Sequence, residues 1–114
     1  MKHIATLALL SVALVGCASV SEGRYKTMQT ALNGPAETRN AALKKCVDRE
    51  KKRSLTHKQN VAMITGASVE AYPEVFCRRV MNGIASGRIS YQDYLQLRNP
   101  AADNSKIVKI VQGR

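Results

Sequence analysis

Apolar residues crowd the start of the chain and then recur at helical spacing. Ile4 to Val15 is an almost unbroken run of Leu, Ala, Val and Ile. Beyond it the apolar positions fall three and four apart, the period of helices lying on a core. Pro35 with Glu37 in the first turn opens a helix that runs to about Arg53. At 100° per residue Ala36, Leu43, Cys46 and Val47 share one face of it, and Lys44, Lys45, Arg49, Lys51 and Lys52 cover the opposite side. Thr56 followed by Gln59 has the spacing of a capping box. A weaker stripe of Val61, Ile64, Ser68 and Tyr72 follows, in an element that breaks or ends at Gly66. Pro73 restarts the chain into the cleanest stripe, Phe76, Cys77, Val80, Met81 and Ile84, with Gly87 where a helix C-cap glycine belongs. Ser90 with Asp93 three residues on then caps a short helix in which Tyr91, Tyr94, Leu95 and Leu97 pack, and Asn99-Pro100 stops it.

The two ends carry weaker patterns. Residues 18–23 are small and polar, and Tyr25, Met28 and Leu32 form a short stripe ended by Asn33-Gly34. Residues 17–34 are therefore expected to act mainly as a tether. Residues 99–114 are expected to form a C-terminal tail. Its Ile107, Val108, Ile110 and Val111, interleaved with Lys106 and Lys109, suit a frayed end, a segment docked on the core, or an interface with anionic lipid or a partner. The pattern predicts an all-α fold, a small bundle of three or four short helices spanning residues 35–98.

The apolar run at the start has its own character. Met1, Lys2 and His3 give it a cationic beginning, and it ends at Gly16. Charge, length and a small terminal residue are those of a secretory signal, too short to span a bilayer of roughly 30 Å. Cys17 follows at once, and Leu14-Val15-Gly16-Cys17 resembles the lipobox of bacterial lipoprotein precursors. The resemblance covers residues 1–19 and fits at all four lipobox positions. It implies that residues 1–16 are cut away and that Cys17 carries a thioether-linked diacylglycerol. Each buried acyl CH₂ contributes ~0.8 kcal/mol, so two or three chains hold a protein firmly where one does not. Ala18 and Ser19, with no Asp after the cysteine, resemble lipoproteins sent to the outer membrane and facing the periplasm. The competing account is an ordinary secreted protein with Cys17 as a stray thiol.

An envelope location changes how the remaining cysteines and charges are read. Cys46 and Cys77 are an even pair in a small chain, and in an oxidising compartment they are expected to form a disulfide rather than stay as buried thiols. Closing a loop of that length stabilises a fold by ~3.5 kcal/mol in the chain-entropy model. With His57 the one histidine left after cleavage, no metal set is read, and no cofactor motif is present.

The chain has 18 Lys and Arg against 8 Asp and Glu; loss of Lys2 leaves 17 against 8, a net +9. Residues 39–58 alone hold eight cations against two acids, net +6. No helix-turn-helix or aromatic-rich RNA motif accompanies this charge, so nucleic acid is not the expected partner. The anionic species of an envelope are lipid phosphates, lipopolysaccharide, peptidoglycan carboxylates and acidic proteins. Two accounts of the basic run stay open: a merely solvated face, or a contact strip formed by Lys44, Lys45, Arg49, Lys51 and Lys52.

Residues 82–98 also resemble the short helical hairpin called SHOCT, an oligomerisation module, through Gly-x-Ile-Ser and Tyr-x-x-Leu, though without its acidic composition.

Catalytic tools are scarce. Paired-carboxylate chemistry needs two acids at a fixed separation, and only Asp48 and Glu50 are close, on different sides of their helix. His57, beside Lys58, reads as a solvated surface residue, and Cys77 lies on an apolar face although Arg78 and Arg79 adjoin it. No catalytic residue is assigned. The expectation is a non-enzymatic, lipid-anchored envelope protein. Its alternatives are an accessory or exclusion lipoprotein of a secretion or conjugation machine, and a small helical periplasmic chaperone.

Overall fold

The computed structural model describes residues 20–97, 99 and 101–114. Among these there are six helices and no strand: α1 (Glu22–Leu32), α2 (Ala36–Lys51), α3 (Leu55–Thr65), α4 (Tyr72–Ala85), α5 (Tyr91–Gln96) and α6 (Ser105–Val111). The fold is all-α, as the apolar spacing implies. No described helix is long and apolar enough to cross a membrane.

α4 is the central element and packs against α1, α2, α3 and α6. It has the strongest segregation of apolar and polar positions, with Cys77, Gly83 and Ile84 buried and Val80 and Met81 half-buried. Pro73 sits in its first turn, where a missing N–H costs nothing. Gly83 has a packing reason: a Cβ there would lie 2.8 Å from Ile89 Cδ1 and 3.0 Å from Cγ1. Its bare backbone therefore lets Ile89, 2% exposed, fold directly onto the helix. The main core is Tyr25, Leu32, Ile84, Ile89 and Ile110, flanked by Met28, Val80, Met81 and Ile107.

α2 runs antiparallel to α4. Leu43 and Arg39 share a cleft with Met81 and Asn82, Cys46 is bonded to Cys77 with their Cα atoms 6.0 Å apart, and Tyr72 Oη donates to the Glu50 carbonyl at 3.2 Å. The disulfide thus staples two helices, one thiol from the half-buried stripe of α2 and the other fully buried in α4.

Both expected end segments are part of the packed domain. The described part of the tether contains α1, whose Tyr25 is 1% exposed. Its hydroxyl donates to the Ile89 carbonyl, and its ring packs on Tyr91 and Tyr94 with centroids 5.7 and 5.4 Å apart. Gln29 Nε2 and Asn33 Nδ2 donate to the carbonyls of Ile84 and Ala85, at 3.1 and 2.8 Å. These carbonyls belong to the last turn of α4; Ile84 also accepts from the Gly87 N–H at 3.1 Å, and Asn33 supplies the Ala85 carbonyl, so α1 helps complete that helix end. At the other end, the 99–114 tail forms α6, with Ile110 and Val111 buried.

Local details differ too. Ser54, not Thr56, caps α3, its hydroxyl accepting from the His57 N–H at 3.2 Å. Pro35 occupies the N-cap of α2, and Ala36 is exposed rather than on the apolar face. α3 ends at Gly66, which adopts φ 76°, so Ser68 lies in the connection that follows and Tyr72 opens α4. Within α3 the inward residues are Ala62 and Thr65, while Met63 is 76% exposed.

Candidate functional site

All five cations of the expected contact strip are exposed. Lys44, Lys45, Arg49 and Lys51 project from the C-terminal half of α2, and Lys52 is its C-cap. Among the described residues none of them lies within ion-pair distance of a carboxylate; the pairs formed are Arg53 and His57 with Glu50, Arg78 with Glu74, and Lys106 with Asp93. Asp48, exposed among them, forms no ion pair among the described residues, and the other acid of this half of α2 is turned away from the strip.

That acid is Glu50, 5% exposed. Leu43, Cys46, Val47 and Glu50 fall at i, i+3, i+4 and i+7, so Glu50 extends the inward stripe of α2 while Asp48, two residues earlier, faces water. Its Oε1 is 3.0 Å from His57 Nε2 and its Oε2 accepts from Arg53 Nε at 3.4 Å. His57, read from sequence as solvated, is instead half-buried and bonded to this carboxylate. The helical spacing already pointed Glu50 inward; its charge argued the other way.

Polar groups elsewhere hold the frame. Ser90 and Asp93 form a complete capping box at the start of α5. The Lys106 ammonium, 2.7 Å away, and the Ser90 N–H hold the Asp93 carboxyl below its usual range. Burial pushes the phenols of Tyr72 and Tyr25 up, with Glu50 and Asp93 respectively adding to the effect. Arg79, unremarked in the sequence except as a neighbour of Cys77, joins two helix ends: its Nη1 donates to the carbonyls of Thr65 and Val111, at 2.9 and 2.7 Å. A buried-looking arginine beside a cysteine gives no sequence signal for that role, since its partners are 14 and 32 residues away.

Cys17 lies outside the described residues. The first described residue, Val20, is tied down: its carbonyl accepts from Tyr91 Oη at 2.8 Å. Because Tyr91 follows the end of α4, the chain enters the domain beside the α4 C-terminus. The α2 C-terminus, through Glu50 and Tyr72, lies beside the α4 N-terminus. The 14 residues of α4, about 21 Å of helix, separate the two. Comparison with protein-family models, curated proteins and solved structures finds no match for this chain.

Proposed function

We propose that this is a lipid-anchored protein of a bacterial envelope, non-enzymatic, whose exposed basic face on α2 contacts an anionic envelope polymer or an acidic protein. The observation that carries the anchor is Leu14-Val15-Gly16-Cys17 closing a short cationic and apolar leader. With the leader removed and Cys17 acylated, the protein faces the periplasm, by its Ala18-Ser19 context from the outer membrane.

Two structural facts support the contact role. Lys44, Lys45, Arg49, Lys51 and Lys52 are exposed and free of ion pairs among the described residues, so their charge is available to a partner. They also lie toward the end of α4 opposite Val20. Val20 is three residue steps from Cys17, a reach of about 10 Å at most, so an anchor there leaves the strip pointing away from its own membrane.

In-cell photo-crosslinking from positions 41 and 48, exposed on the same helix, with and without the triple change Lys44→Glu, Lys45→Glu and Arg49→Glu, tests the contact. The expected result is a discrete crosslinked species that the charge reversal abolishes while the helical content is unchanged. Crosslinks indifferent to the reversal would refute the strip as a contact surface.

A further inference from the structure

An open cleft of about 340 Å³ lies between α4 and α6, lined by Arg79, Asn82, Ser86, Arg88 and Arg114 around Gly83, Ile110 and Gly113. Three of its lining residues are arginines and none is acidic. We propose that this cleft binds a phosphoryl group, with Arg79 as its fixed donor.

The argument starts from the half-buried Arg79 guanidinium. Nη1 is committed to the last-turn carbonyls of α3 and α6, which fixes the plane of the group. Among the described residues Nε and Nη2 have no hydrogen-bond partner, yet no side-chain nitrogen or oxygen is buried without one. This second edge therefore meets solvent in the cleft. Nε and Nη2 form the fork of parallel donors that engages two oxygens of an oxyanion at once.

Gly113 lies over one face of that guanidinium. It has φ 82°, and a Cβ there would stand 3.0 Å from Arg79 Cζ, 3.1 Å from Nη2 and 3.3 Å from Nε. A Cβ would be nearest the central carbon, so a side chain at this position would press on the guanidinium face and push Arg79 from its place. The exposed Arg88 adds a second cation from the turn after α4, and the exposed Asn82 amide adds a neutral donor. A carboxylate would use only the fork; a phosphoryl group has further oxygens for Arg88 and Asn82. The cleft is at the same end of α4 as Val20, so in an anchored protein phospholipid headgroups are one source of the ligand and soluble phosphate monoesters the other. Binding of free phosphate depends on neither the anchor nor the α2 strip, and stands or falls apart from them.

The full chain, purified in a nonionic detergent, is titrated with inorganic phosphate and, separately, with dihexanoyl phosphatidylglycerol, while the Arg79 Nε–H and Gly113 amide resonances are followed by NMR. Sodium chloride at matched ionic strength is the control. Saturable shifts of both resonances with at least one probe are expected, and the probe that binds more tightly identifies the source. Arg88→Ala and Gly113→Ala should each weaken that binding about tenfold or more. Arg88 is exposed, so its variant tests the site even if Gly113→Ala disturbs α6. Shifts reproduced by chloride, no saturable shift with either probe, or unchanged affinity in Arg88→Ala would overturn the proposal.

Discussion

Glu50 turns inward from a helix whose other charged residues all face water, and the reason is local: both its oxygens are met, by Arg53 and His57, while its own carbonyl accepts from Tyr72. A buried carboxylate so satisfied stabilises the corner between α2 and α3, and losing its charge-assisted bonds costs about 1.5–3 kcal/mol. Glu50→Gln, which keeps the shape, is expected to lower Tm by roughly 10 °C in a domain of this size; an unchanged Tm in a thermal melt would show the pairings to be inert. Asp93 behaves differently because its ionised form is favoured in the fold by Lys106 and the Ser90 N–H. Its pKa is depressed from 3.8, so the stabilisation is present above that value and is lost below it, as pH falls through the lower pKa of the folded state. Asp93→Asn should therefore show a smaller Tm loss than the wild type between pH 6 and about pH 3. An equal loss would mean that Asp93 does not contribute to the acid limb.

Helix α4 shows how an element becomes the centre of a fold. Its apolar stripe is the clearest in the chain, and four other helices settle against it. The covalent link from Cys77 to Cys46 in α2 acts on a loop of 31 residues' separation, contributing ~3.5 kcal/mol in the chain-entropy model. Reduction, or Cys46→Ala with Cys77→Ala, is expected to lower Tm by about 15 °C or more. A melt indifferent to reductant would contradict the staple. α4, its cysteine pairing and the Ser90 cap were legible in sequence because each is a local signal: period, parity of thiols, a capping box. α1 and α6 were not. Their apolar residues are few, and what holds α1 is tertiary: Tyr25 against two tyrosines, and Gln29 and Asn33 on carbonyls of the last turn of α4. Among the candidate site residues, the exposure of the α2 cations followed from spacing alone, whereas the Glu50–His57 pair joins two helices across a turn and the Arg79 bonds join three.

At the scale of the whole molecule, the direction in which the chain enters matters most. Val20 is bonded to Tyr91 beside the α4 C-terminus, and the basic half of α2 lies toward the other end. With an anchor at Cys17 the arginine cleft sits near the membrane and the lysine strip away from it, so one small domain presents cationic surface in two directions. Their orientation relative to a membrane, though not their charge, depends on the sixteen-residue leader being removed and Cys17 acylated. The direct measurement is the mass of the N-terminal peptide from protein extracted in its native membrane fraction. A peptide beginning at Cys17 and carrying a diacylglycerol, with or without a third acyl chain, is expected; a peptide beginning at Met1, or an unmodified Cys17 on soluble protein, would contradict the anchored role.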